Sequence, residues 1–270
     1  MSQPPTVILA PRVTADSVRI WEAAAQMKWP VRRLVSWRVP EGMADAQTGF
    51  VIYAEPLFAE AVSDQLGLIL LEPPPEWLIK LPERFTKRRI TLRSLHDART
   101  IDQPAFIKPA EGKVFEARVY DHGRDLPGED AVEGSLKVLC SDPVNFQLEV
   151  RSFIRDREIF SLSPYWRGGA LAQDASGDWP FLAEEEAQAS GFIREILSSS
   201  DVNLPPAFVL DVGFIPEQGW AVIEGNPCWG AGLYGCSAPS ALHVCEAAIR
   251  RKSAMSDVDW QWTSPRVRRP

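Results

Sequence analysis

Histidine and cysteine are scarce: three and four residues in a chain of 270. His96, His122 and His243 are scattered, so a histidine-based zinc site is not expected. Cys140, Cys228, Cys236 and Cys245 form no CxxC pair and are too few to staple so long a chain. Reduced thiols and a cytoplasmic setting are the expectation. Positive charge is in deficit as well, with 29 Lys+Arg against 36 Asp+Glu and a net charge of −7. That balance argues against a nucleic-acid or anionic-membrane partner, because nothing neutralises phosphates at long range. No apolar run approaches the roughly 20 residues that cross a bilayer, and no membrane association is expected. Met1 to Pro5 lacks a basic region followed by an apolar core, so no secretory leader is expected. No GxGxxG follows Val7-Ile8-Leu9-Ala10, which weakens a dinucleotide-binding reading of the first strand.

What is present is ordinary for a folded protein: 45% hydrophobic and 24% charged residues. At about 100–200 residues per domain, the length fits two modest domains or one large one. Val7–Ala10, Phe50–Ala54 and Leu68–Leu71 read as strands. Ala15–Met27, capped by Thr14 or Asp16, and Leu57–Leu66, closed by Gly67, read as helices. This β-α-β-α-β order predicts a small parallel sheet in an N-terminal domain of residues 1–100. Trp77 to Leu95 is locally basic (Lys80, Arg84, Lys87, Arg88, Arg89, Arg93) and is expected to be a solvated helix face rather than a binding patch. After Pro104 short strands follow with short joins: 105–109, 114–120, 136–139, 146–154 and 158–162, favouring antiparallel pairing in a second domain of residues 101–255. Glu184–Ser198 reads as a helix, Phe208–Ile215 and Trp220–Ile223 as a hairpin, and Leu242–Lys252 as a helix. Residues 256–270 read as a flexible basic tail. Overall the class is α/β, in the α+β sense.

Chemistry concentrates in three segments. Phe106-Ile107-Lys108-Pro109-Ala110-Glu111-Gly112-Lys113 puts two lysines on a strand–loop–strand that can fold over phosphates. In Phe146–Ile154 the period of two places Gln147, Glu149 and Arg151 on one strand face. Arg151 can grip a planar carboxylate or phosphate with two parallel hydrogen bonds. In the third segment Asp211 interrupts an apolar strand, and Glu224 and Asn226 lie two apart on the partner strand before Pro227 ends it. An Asp in a buried strand is costly unless it is paired or ligates a cation. Three hard oxygen ligands suit Mg²⁺ shared with nucleotide phosphates, while satisfaction by backbone N–H groups is the structural alternative.

Together these motifs resemble an ATP-grasp enzyme: Lys108 in F-I-K-P, the E-V-R-S-F-I strand, D-V-G, and I-E-x-N-P followed by W-G-A-G-L-Y-G. More narrowly they are similar to the divergent bacterial and phage clade marked by one arginine and two lysines. That clade is related to a eukaryotic cell-division-cycle factor that assembles a translation initiation complex. The resemblance implies an ATP-grasp core after a small β/α domain, with ATP and Mg²⁺ as cofactors. It implies Asp211, Glu224 and Asn226 as metal holders and Lys108 as a phosphate-contacting lysine. The second lysine is Lys113 or Lys137. Cys140 and Ser141 fall at the inter-lobe hinge that receives adenine, with Glu149 also on the ATP side. Arg151 would face the γ-phosphate or an acyl-phosphate, with Lys113 beside it as the other catalytic cation. Tyr165–Gly169 would be a glycine-rich loop closing over the acceptor.

The implied reaction is ATP-dependent joining of a carboxylate to an amine through an acyl-phosphate. It needs no side-chain nucleophile, in keeping with the lack of a convincing Ser–His–Asp or Cys–His constellation. The alternative is an ATP-binding assembly or chaperone-like module without turnover. Partners would be ATP, a carboxylate and an amine acceptor, the substrate being a peptide, a protein terminus or a small amino acid. Trp21, Trp29, Trp37 and Trp77 read as core or interface packing, and Cys228 and Cys236 as small buried residues.

Overall fold

The computed structural model describes residues 3–44, 48–265 and 267. The chain opens with β1 (Thr6–Leu9), α1 (Ala15–Gln26), β2 (Val31–Arg33), β3 (Phe50–Tyr53) and α2 (Pro56–Gln65). Thr14 caps α1 in a reciprocal box with Ser17: each side chain accepts the other's backbone N–H, at 3.1 and 2.9 Å. Such a cap contributes about 1 kcal/mol. β1 lies between β2 and β3, all parallel, and β1 and β3 are buried along their whole length because helices cover the sheet.

The third strand expected here goes elsewhere. β4 (Leu68–Leu70) pairs antiparallel with β14 (Ile249–Arg251), which the helical periodicity of Leu242–Lys252 had absorbed. The third parallel strand is instead β2, whose three residues include two arginines and carry no apolar signature.

Next come α3 (Glu76–Ile79), α4 (Glu83–Thr86), β5 (Ile90–Ser94) and α5 (Leu95–Ala98). The basic stretch is therefore two single turns and a strand rather than one solvated helix, and Arg88 is buried. β6 (Ala105–Pro109), β7 (Arg118–Tyr120) and β8 (Lys137–Ser141) complete a four-stranded antiparallel sheet of order β5-β8-β6-β7. Because β5 is its edge strand, this unit begins before residue 100. β9 (Leu148–Arg155), β10 (Glu158–Arg167), β11 (Ala170–Leu171), α6 (Ala183–Ser198), β12 (Ala207–Ile215) and β13 (Gly219–Asn226) follow, then α7 (Ala238–Ala247) and β14. The five-stranded antiparallel sheet runs β11-β10-β9-β12-β13. Tyr165 to Arg167 belong to β10, so the expected glycine-rich loop is a strand that turns at Gly168-Gly169.

One face of this large sheet packs Leu148, Val150, Ile154, Phe208, Leu210 and Val212 against α6. On the other face, Phe153, Ala207 and Val209 join the core of the N-terminal sheet together with α7. A third core lies under the four-stranded sheet around Leu95, Ile107 and Val138. Beyond α7 the chain is not a loose tail up to residue 265. Trp262 is 3% exposed, its carbonyl accepts from Glu72 N, and Thr263 bridges Leu71. Arg266, Arg268 and Arg269 lie outside the described residues. Trp77 is buried as expected, whereas Trp21 and Trp37 are half exposed, Trp37 lying edge-on to Phe58. All four cysteines are free and buried. Among the described residues no helix is long and apolar enough to cross a membrane.

Candidate nucleotide and metal site

The strand register builds a row of polar groups across the large sheet. Ser163 of β10, Arg151 of β9, Asp211 of β12 and Glu224 of β13 are successive cross-strand partners. On β9 and β12 the apolar rows Phe153 and Val209 lead into Arg151 and Asp211; Arg151 lines a cleft here with Glu224 and Asn226, whereas Asp211 is fully buried and outside the lining. The cleft measures about 1500 Å³. Its other walls are the ends of the parallel strands (Ala10–Arg12 and Glu55–Phe58), Pro73–Pro75, and the β6–β7 loop with Lys108 and Lys113. Ligands in α/β sheets commonly sit at the carboxyl ends of parallel strands, and the first of these walls has that position.

Arg151 and Asp211 form a buried, two-pronged pair. Nε donates to Asp211 Oδ1 at 2.9 Å and Nη2 to Oδ2 at 2.6 Å, while Nη1 donates to the Gly232 carbonyl at 3.0 Å. Asp211 is 0% exposed. Burial pushes its carboxyl upward against the pull of the Arg151 guanidinium, and Asp211 in turn holds Arg151 protonated in spite of its own burial. Tyr165 and Tyr234 stack 4.9 Å apart, with the Arg151 guanidinium 5.5 and 4.8 Å from their ring centres.

The loop carrying Gly232 and Tyr234 is tied to the N-terminal domain. Arg19 donates to the carbonyls of Tyr234 and Cys236, Leu233 N donates to Asp16, and Tyr53 O–H donates to Ala231 O. In the sequence Tyr165 stands only at the start of the expected loop and Tyr234 only within W-G-A-G-L-Y-G; their stacking beside Arg151 is not readable there, because contacts between distant segments leave no periodic signal.

Glu224 accepts from Lys108 Nζ across the cleft, and Asn226 Nδ2 donates to both Glu224 Oε1 (2.9 Å) and Asp211 Oδ2 (3.0 Å). Burial works against the Glu224 charge, but Lys108 and Asn226 hold its carboxyl below the usual range. Lys113 is exposed on the β6–β7 loop and lines the cleft. Lys137 is exposed on β8, and the alternation 137-139 puts it on the face of Leu139, the cross-strand partner of Lys108. Glu149 is half buried and accepts from the Tyr165 hydroxyl, and burial raises its carboxyl.

The hinge residues are placed differently from one another. Leu139 lines the cleft, whereas Cys140 points beneath the sheet into the Ile107–Val138 core, where burial pushes its thiol up to about 11. Ser141 pairs with Ile90 and Phe106 at the strand end, and neither Cys140 nor Ser141 is in the cleft lining.

The model of the ATP-grasp domain, R-2K clade, family 2, matches residues 85–244, more than half of the chain. The chain belongs to that ATP-grasp family. Solved structures agree on the fold. D-cycloserine synthetase DcsG aligns at 12% identity and TM-score 0.58, over 89% of this chain and 98% of that one. The ATP-grasp ligase PsnB complexed with minimal precursor aligns at 12% and 0.51, over 91% and 99%. D-alanine–D-alanine ligase from Bacillus anthracis complexed with ATP aligns at 12% and 0.51, over 92% and 97%. No curated protein matches the chain.

In this ATP-grasp protein the five-stranded sheet supplies the carboxylates and the four-stranded sheet the lysines. Among the described residues no three His, Cys, Asp or Glu side chains gather; the donor set is two carboxylates and one amide. That set fits Mg²⁺, a hard cation that prefers oxygen. The Asn226 amide already joins the two carboxylates through its nitrogen, and a half-turn of the amide exchanges that nitrogen for its oxygen.

Proposed function

We propose that this protein is an ATP- and Mg²⁺-dependent carboxylate–amine ligase. The observation that carries the reading is the reach of Lys108 from the four-stranded sheet to Glu224, which Asn226 joins to the Asp211–Arg151 pair. A substrate carboxylate oxygen attacks the γ-phosphorus of ATP, releasing ADP and leaving an acyl-phosphate. The amine then attacks the acyl carbon, and inorganic phosphate leaves as the amide forms and the amine proton passes to solvent. Asp211, Glu224 and Asn226 would hold Mg²⁺, which supplies neutralisation of the phosphate oxygens. Lys108 leaves Glu224 to contact the phosphates. Arg151, fixed by Asp211 and two aromatic rings, lends positive charge to that end of the cleft. Lys113, on its exposed loop, is the candidate second lysine and Lys137 its competitor; Cys140 and Ser141 remain candidates on the adenine side through their backbone groups, and Glu149 for the ATP site more generally.

Calorimetric titration of ATP with and without Mg²⁺, on wild type and Glu224→Gln, tests the reading. Mg²⁺-dependent binding weakened at least tenfold, about 1.4 kcal/mol, is expected in the variant. Absence of ATP binding by folded protein at millimolar concentrations sinks it. If ATP binds, ADP release stimulated by a carboxylate–amine pair favours the ligase. Nucleotide-dependent complex formation without turnover favours the assembly module.

A further inference from the structure

Arg88 is 8% exposed, yet among the described residues no carboxylate lies within ion-pair distance of it. Its guanidinium is held by carbonyl oxygens instead: Nη1 donates to Thr86 O (2.9 Å) and Val222 O (2.7 Å), and Nη2 to Ile223 O (3.2 Å). The Phe146 ring centre lies 5.3 Å away. Burial pushes its pKa down to about 10, against the longer-range attraction of Glu224 and Asp142.

The two strand carbonyls it holds belong to consecutive residues. In a regular strand these point to opposite edges, so one guanidinium cannot reach both. Here the register slips: Asp211 pairs with Glu224, but Val212 pairs with Val222, leaving Ile223 as an extra residue. This is a β-bulge, which leaves backbone groups unpaired and re-aims the side chains beyond it.

The consequence is a change of face. Trp220 and Val222 sit in the apolar core against α6, together with Val212. By strict alternation Glu224 and Asn226 would follow them into that core. The extra residue reverses the phase, so both reach Asp211 on the cleft face. Gly213 makes room: a side chain there would lie 2.4 Å from Phe146 and 2.9 Å from Ile223.

We propose that Arg88 is a positioning residue for the metal-holding wall: it satisfies the carbonyls exposed by the Ile223 bulge, and that bulge turns Glu224 and Asn226 toward Asp211. The inference rests on the Mg²⁺–ATP reading above. Its test is a double-substitution cycle of Arg88→Lys and Glu224→Gln, read by calorimetry of ATP with and without Mg²⁺. An ammonium lacks the planar pair of donors that spans both carbonyls. Arg88→Lys is therefore expected to lower the ratio of Mg²⁺-dependent to Mg²⁺-free affinity at least tenfold, with Mg²⁺-free affinity unchanged within twofold. Added to Glu224→Gln it is expected to cost less than it does alone, because the two changes share the Glu224 carboxylate while Asn226 is displaced only by the first.

The electron paramagnetic resonance spectrum of Mn²⁺ bound with ATP is expected to depart from wild type in Arg88→Lys as well as in Glu224→Gln. Equal losses with and without Mg²⁺, or losses that add in the double variant, overturn the inference and leave Arg88 a packing residue. If Arg88→Lys does not fold, Phe146→Leu keeps the arginine and removes the ring over it; a lowered Mg²⁺ ratio there supports the inference and an unchanged one overturns it. A wild type without Mg²⁺-dependent ATP binding defeats the functional reading first, and does so separately.

Discussion

Two walls face each other across the cleft, and they are built in opposite ways. On the five-stranded sheet the polar groups are bonded to one another, Arg151 and Asp211 buried and Glu224 half-buried: Arg151 to Asp211 and Gly232, Asn226 to Asp211 and Glu224. On the four-stranded sheet Lys113 and Lys137 are exposed, and no hydrogen bond or ion pair among the described residues holds their ammonium groups. Lys108 spans the gap, to Glu224. A site that must stabilise developing phosphate charge gains most from groups fixed beforehand. A site that must also admit and release a nucleotide needs one wall that adapts. Under the proposed ligase reading, the first task falls to Arg151 and the Mg²⁺ that the carboxylate wall would hold, and the second to the lysine wall.

The largest effect that breaks this contrast is on stability. Asp211→Ala strips the partner from a buried guanidinium, which is expected to lower unfolding free energy by about 3–5 kcal/mol in a urea titration. Loss below about 1 kcal/mol would show that the wall is not fixed by this pair. The lysine wall is expected to behave in the reverse way. Lys113→Ala and Lys137→Ala should each change stability by less than about 0.5 kcal/mol. Mg²⁺–ATP affinity should fall roughly three- to tenfold for Lys113→Ala, whose side chain lines the cleft, and by less than about twofold for Lys137→Ala. A larger loss at Lys137 reassigns the second lysine.

Much of the carboxylate wall is legible in the sequence, because period-two spacing places Glu149 with Arg151 and Glu224 with Asn226, and Asp211 stands out in an apolar strand. The pairing of Arg151 with Asp211 is not legible, since register between strands 60 residues apart is set by the whole sheet. Nor is the bulge, for no residue type marks Ile223, and Arg88 is one of three adjacent cations with identical local composition. The N-terminal helices are readable from apolar spacing and caps. β2 and β14 are not, being three-residue strands rich in arginine whose pairing comes from neighbours rather than from hydrophobic pattern. Trp37 shows the limit of composition arguments, for its half-exposed ring rests on Phe58 at the cleft edge.

A second two-pronged pair on the same sheet shows what burial adds to geometry. Arg167, at the end of β10, donates Nη1 to Glu185 Oε1 at 2.5 Å and Nη2 to Oε2 at 2.8 Å, much as Arg151 does to Asp211. Its side chains are 38% and 23% exposed rather than 9% and 0%. Water screens such a pair, so Glu185→Gln is expected to cost about 0.5 kcal/mol, several-fold less than Asp211→Ala. The Arg167 hydrogen bonds hold the Glu185 carboxyl below its ordinary value. A carboxyl lowered on folding adds stability that is complete above its unfolded value, near 4.3, and disappears as pH falls through the lowered folded one. The gap between wild-type and Glu185→Gln urea midpoints should therefore be level from about pH 6 upward and close below about pH 4. A gap that persists unchanged at pH 3 would mean that Glu185 acts through the backbone of α6, where it accepts from Leu182 N, rather than through its charge.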